Sequence, residues 1–187
     1  MNNETIQNIL ARRSVRHYRE QPVDKETISL IVECGLFAPS GMNAQPWHFT
    51  VITNKLVLKK ISEENRKILQ QSPIEKVRLK AQEPGFDSFK GAPVAIIVSA
   101  DPDIYDPASA CANAVENMAI AAQSLGLSSC YLGSFKIAME KPEGSFLMHE
   151  LHIPDGYKPM YALIIGYGDE TPGERAPRKE NTVTYIE

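Results

Sequence analysis

A chain of 187 residues, 43% hydrophobic and 23% charged, has the size and make-up of one compact domain, residues 1–187, and is neither disordered nor fibrous. Its net charge of −3 argues against a protein built to coat nucleic acid, for which a basic excess supplies the attraction. No apolar run reaches the ~18 residues of a membrane span, and the opening MNNETIQNILARR lacks the apolar core of a signal peptide, so a cytoplasmic protein is expected.

In chain order, Ile6, Ile9 and Leu10 stand at helical spacing and predict a short amphipathic helix from Glu4 to Arg13, which delivers arginines at its C-terminal end. Asp24 is a plausible N-cap for a helix carrying Ile28, Ile31, Val32 and Leu36 and ending before Pro39. Trp47 to Thr53 reads as a strand, and Asn54 to Lys67 as a helix. The polar stretch from Gln70 to Lys90, broken by Pro73, Pro84 and Gly85, predicts a helical excursion or lid. Pro93 to Ser99 is apolar throughout, the mark of a central strand covered on both faces.

Asp106-Pro107 opens a helix to Leu125 with seven alanines and only Asp106 and Glu116 charged, which predicts close packing, as at a subunit interface. Further strands are expected at Ser128 to Leu132 and Pro159 to Gly166, with a helix around Glu143 to Leu151 between them. Thr182 to Ile186 alternates well enough for a strand, beyond a charged, Pro-rich stretch that leaves the domain body. The class is mixed α and β.

Cys34, Cys111 and Cys130 form no C-x-x-C pair and are expected as reduced, buried residues. The phosphate-loop, dinucleotide and nucleophile-elbow motifs are absent. His149 and His152 lack the further ligands zinc needs, and no metal is expected.

Two segments carry chemistry. Arg12, Arg13, Ser14 and Arg16 place guanidinium forks beside a hydroxyl, a set suited to phosphate, although a solvated basic face has the same composition. The turn Pro39-Ser40-Gly41-Met42-Asn43-Ala44-Gln45 offers a hydroxyl and two amides whose donors and acceptors can read the edge of a planar heterocycle; taken alone it is a helix-to-strand connection.

Together with G-A-P-V-A-I-I-V, N-M-A-I-A-A-Q-S-L-G-L, C-Y-L-G and I-P-D-G-Y, these segments resemble the nitroreductase family of FMN-dependent oxidoreductases nearly end to end. The resemblance implies an α+β fold, an α/β sandwich with a mixed central sheet flanked by helices and a C-terminal extension reaching the partner of a homodimer. It implies FMN as cofactor. Arg12, Ser14 and Arg16 match contacts to the phosphate, ribityl chain and ring edge, with Arg13 beside them. Pro39, Ser40, Gly41, Asn43 and Gln45 match a loop that reaches the flavin of the other subunit. Leu132 and Gly133 match backbone near the reactive ring face, and Arg178 a basic residue on the phosphate, with Arg175 a weaker candidate. Better-known members carry an acidic side chain near Gly133, where this chain has glycine followed by Ser134.

The implied activity is hydride transfer from NADH or NADPH through flavin N5 to a nitroaromatic, quinone or similar acceptor, in ping-pong order. No side chain is assigned as a catalytic acid or base, because the flavin carries the chemistry. A branch catalysing dehalogenation or enone reduction, and a flavin-storage or sensing module, are the alternatives. Neither a nucleic acid nor a membrane is an expected partner.

Overall fold

Each residue of the apolar run at Val94–Ala100 is buried, and the run forms the second strand of a four-stranded sheet. In this computed structural model, which describes residues 3–187, the sheet comprises β1 (Trp47–Ile52), β2 (Val94–Ala100), β3 (Ser128–Leu132) and β4 (Lys158–Gly166) in the order β1-β2-β4-β3. Alternation of side chains along β2 explains why all its residues but Ser99, whose buried hydroxyl has no hydrogen-bond partner among the described residues, are apolar. Val94, Ile96, Val98 and Ala100 join a core beneath α2 (Lys25–Leu36) and α5 (Pro107–Ser124). Ala95 and Ile97 join a second core beneath α3 (Lys55–Leu69) and the segment holding Phe135, Met139 and Leu147. Fully burying such aliphatic side chains stabilises by about 1.5–3 kcal/mol each, so the two cores hold the sheet from both sides.

All three strand pairings are antiparallel, and the parallel component of the expected mixed sheet is one isolated bridge between Ser14 and Ser129. The short connections into α2 and α3 follow local chemistry: Asp24 and Asn54 each accept a backbone N–H as N-caps. The hydrogen bonds from the Thr27 hydroxyl and then the Thr27 N–H hold the Asp24 carboxyl below its ordinary value. The excursion between α3 and β2 contains one helix, α4 (Glu75–Gln82). The remaining helices are α1 (Glu4–Ala11) and α6 (Phe146–Glu150), the latter shorter than expected because residues 142–144 form a separate 3-10 turn.

Two expectations are corrected, on residues 182–186 and on Asp106, while the close packing expected of α5 is found. Residues 182–186 form no strand: they have no neighbouring strand to pair with, and Val183, Tyr185 and Ile186 are exposed. Asp106 stands at the N-cap of α5 but has φ 46 and makes no capping bond. The alanines of α5 find a use inside the chain, where Ala110, Ala114, Ala119 and Ala122 are buried against the sheet and α2. Gly35 of α2 allows that approach, since a Cβ there would lie 2.9 Å from Met118 Cγ.

A buried polar cluster of Asn65, Ser62 and Ser88 is built into the second core, with Ser88 N donating to Ser62 Oγ at 2.8 Å. Asn65 Nδ2 donates to Phe135 O and to Ser88 Oγ, and Asn65 Oδ1 accepts from Ala138 N at 2.8 Å. The amide thereby ties α3 to the connection after β3, satisfying groups that burial would otherwise leave unpaired.

Candidate functional site

The arginine segment is an extended strip laid along β3. Val15 N donates to Ser129 O at 3.0 Å and its side chain is buried, which turns the neighbouring Ser14 and Arg16 outward. Arg12 caps the end of α1 and lies on α5, its Nε 3.4 Å from Glu116 Oε1. The angle makes no hydrogen bond, so the buried Arg12 Nε is left without one.

The tail returns to this strip. Arg175 Nη2 donates to the carbonyls of Leu10 and Arg12, which the end of α1 leaves unsatisfied. Loss of solvent, followed by the like charges of Arg13, Arg178 and Arg12, holds the Arg175 guanidinium below its ordinary value. Arg12, Arg13, Arg175 and Arg178 therefore form one cationic patch. Among the described residues, Arg13 and Arg178 make neither a hydrogen bond nor an ion pair. At the other end of the strip, Glu170 Oε1 accepts from Arg16 N, while the Arg16 side chain has only a long bond of 3.4 Å to Ser14 O.

The Pro39–Gln45 loop is self-braced. Ser40 Oγ accepts from Gln45 N at 3.0 Å, and Gln45 Nε2 donates to Asn43 Oδ1 at 3.0 Å. Met42, Asn43 and Gln45 have φ of 53, 53 and 45, a left-handed course that costs non-glycine residues roughly 1–2 kcal/mol each. Asn113 of α5 fixes the start of the loop by donating to Pro39 O at 3.1 Å. Asn43 and Gln45 are both exposed.

Leu132 closes β3 and is buried, whereas Gly133 is exposed and an added Cβ there would meet no atom within 4 Å. From Ser129, beside Ser14, to Leu132 the strand advances roughly 10 Å. The strip and the open backbone at Gly133 thus flank opposite ends of one edge strand.

The structure brings the predicted residues 12, 13 and 178 into one patch and sets Ser14 beside Ser129 at the start of β3, while from Arg16 onward the strip bonds to residues 167–170; Leu132 and Gly133 stand at the far end of β3. The loop is separate: among the described residues no hydrogen bond or ion pair joins it to the strip, and the two meet only through α5, where Asn113 and Glu116 lie one turn apart. A cleft of about 500 Å³ is lined by Leu58, Arg66, Phe86 and Asp87, with Glu20 and Gly91 also on its wall and none of the predicted site residues.

Glu116, Asn113 and Glu170 were not identified from sequence as site residues. A lone carboxylate and two asparagines in an alanine-rich helix were the available signal for the first two; nothing local marks Glu170. Lys90 is a further cation near Arg16, its pKa lowered by burial and then by Lys80, its Nζ donating to Asp87 O at 3.1 Å.

The model describing the nitroreductase family matches residues 9–167, which include the arginine strip, the amide-bearing loop and the end of β3. The chain belongs to the nitroreductase family. A nitroreductase of Bacteroides fragilis, solved with bound FMN, is 30% identical over the full length of both chains, with a TM-score of 0.93. A nitroreductase of Desulfitobacterium hafniense, also solved with bound FMN, is 29% identical over the full length of both, with a TM-score of 0.92. The FMN reductase [NAD(P)H] of Bacillus subtilis is 26% identical over 95% of this chain and 69% of its own length. Arg175 and Arg178 lie beyond the residues that the family model matches, within the full-length likeness to the two solved nitroreductases. No described helix is long and apolar enough to cross a membrane, and the three cysteines are free.

Proposed function

We propose that this nitroreductase-family chain binds FMN and acts as a cytoplasmic homodimeric oxidoreductase, using NADH or NADPH to reduce nitroaromatic, quinone or similar small acceptors in ping-pong order. The observation that carries the proposal is the patch of Arg12, Arg13, Arg175 and Arg178. Two guanidiniums without partners among the described residues, Arg13 and Arg178, beside Arg12, whose Nε is paired with Glu116 only at 3.4 Å and without a hydrogen bond, suit a group bearing several anionic oxygens.

Arg12, Arg13 and Arg178 hold the phosphate by charge-assisted forks, with Arg175 buttressing the end of α1. Ser14 offers a hydroxyl to the ribityl chain, and Arg16 places its charge at the ring edge. Pro39, Ser40 and Gly41 shape the loop that carries the Asn43 and Gln45 amides toward the pyrimidine edge of the flavin in the other subunit. Leu132 supports the ring from below, and Gly133 leaves its approach open. When bound, FMN would supply the redox chemistry, hydride transfer from the nicotinamide to the acceptor through N5.

Two features support a dimer in which the tail crosses to the partner. The loop and the arginine strip make no direct bond within one chain, and α1 buries none of its residues, leaving Ile6, Ile9 and Leu10 exposed. The segment 182–186 ends unpaired with three exposed apolar side chains.

Stopped-flow mixing of the FMN-loaded protein with NADH or NADPH tests the proposal. Stoichiometric bleaching without acceptor, parallel double-reciprocal plots with acceptor, and a dimer by light scattering are expected. A flavin that stays oxidised would make the protein a storage or sensing module, and intersecting plots would overturn the ping-pong order.

A further inference from the structure

Tyr105 lies in the turn between β2 and α5 with 65% of its surface exposed, and its ring rests on the amide-bearing loop. A Cβ added to Gly41 would stand 2.6 Å from Tyr105 Cδ1 and 2.9 Å from Cε1, and its three nearest atoms all belong to this ring. Gly41 has no left-handed φ, so its backbone has no need of glycine. The missing side chain is what lets the ring close onto the loop.

The turn that delivers the ring is itself held in an unfavourable shape. Asp106 has φ 46 and ψ 55 directly before Pro107, where the proline ring favours extended backbone, and its carboxylate makes no compensating capping bond. Strain of this kind persists only where neighbouring structure enforces it. On the loop side, three left-handed residues are braced by two internal hydrogen bonds and the Asn113 contact to Pro39. Ring and loop therefore present two strained segments packed face to face.

We infer that Tyr105 is a positioning residue whose ring clamps Gly41 and keeps the Ser40–Gln45 backbone in the course that presents Asn43 and Gln45. The consequence for flavin binding rests on the proposed role of that loop. The ring carries the effect, since the Tyr105 hydroxyl makes no hydrogen bond among the described residues.

The test uses the full-length protein and three single variants, Tyr105→Phe, Tyr105→Ala and Gly41→Ala, with the double variant Gly41→Ala/Tyr105→Ala. Amide exchange over residues 41–45 reports the clamp, and binding of FMN and riboflavin, with the visible circular dichroism of the bound flavin, reports its consequence. Tyr105→Phe should match the parent in every readout. Tyr105→Ala should speed exchange in the loop, weaken both flavins about tenfold and alter the dichroism. Gly41→Ala should do the same by expelling the ring, and the double variant should be no worse than Tyr105→Ala, because contacting residues are not additive. Unchanged exchange in Tyr105→Ala, or losses that multiply in the double variant, would overturn the clamp. Faster exchange with both flavin affinities unchanged would instead uphold the clamp and overturn the loop's flavin role.

Discussion

Residues 94–100 and 162–166 are buried without interruption, whereas α1 buries nothing and Met42 in the amide-bearing loop is 82% exposed. The sheet centre uses aliphatic side chains in low-energy extended backbone, with one buried amide fully bonded. The face made of the arginine strip, the loop and the tail gathers like charges, left-handed backbone and exposed apolar groups. Each of these is unfavourable in an isolated chain, and the proposed function would offset each with an anion, a planar ring or a second subunit. The comparison separates what the chain completes by itself from what it prepares for something else.

The largest effect should come from Asn65→Leu, which leaves Ala138 N and Phe135 O without their buried partner. A loss of about 2–5 kcal/mol in chemical denaturation is expected. The folded fraction should keep the parent's FMN affinity. A parallel loss of affinity would mean that the two regions are not separable.

Arg12→Ala or Arg16→Ala should weaken FMN by about tenfold to a hundredfold, the worth of a charge-assisted bond, with little effect on the denaturation midpoint of the apoprotein. Riboflavin lacks the phosphate and isolates the role of each arginine. Loss of Arg12 or Arg178 should matter much less for riboflavin, whereas Asn43→Ala should weaken both flavins several-fold, a neutral hydrogen bond being weaker. Equal binding of FMN by the parent and all three arginine variants, at low and at high salt, would remove the phosphate assignment.

The smallest effect belongs to the cap of α2. The folded Asp24 carboxyl lies below its ordinary value of 3.8. Its contribution is therefore present above that value and is lost as pH falls through the lower, folded one. Between neutral pH and pH 5, Asp24→Asn should denature with the same pH dependence as the parent. Below 3.8 the parent should lose stability faster than the variant.

Much of the sheet was legible because its cause is local. An uninterrupted apolar run has one comfortable place, between two layers, and β2 occupies it. Asp24 and Asn54 were readable as helix starts because a cap needs only the next three residues. Asp106 looked the same in sequence and behaved differently: it makes no capping bond, and its left-handed turn carries the adjacent Tyr105 against Gly41 of a loop distant in sequence. The tail segment 182–186 has the alternation of a strand, but a strand exists only by pairing, and the partner is not in sequence reach. The proposed site residues Arg12, Ser14, Arg16, Asn43 and Gln45 rest on family resemblance and side-chain chemistry. Their supports, Glu116, Asn113, Glu170 and Tyr105, act across the fold and leave only faint marks in the sequence.

The bond from Arg175 to the end of α1 joins residues 165 and 163 positions apart. Relative to a contact spanning ~20 residues, that separation is about three doublings of loop length, or roughly 2 kcal/mol of additional closure entropy. A chain emerging from the ribosome can pair β1 with β2 while the partner for α1 is still unmade. The cationic patch is therefore among the final contacts to form, and it brings together charges that repel one another. The chain thus closes on itself at a point where like charges meet, and under the proposed function a bound phosphate would offset that repulsion and tie the two chain ends together.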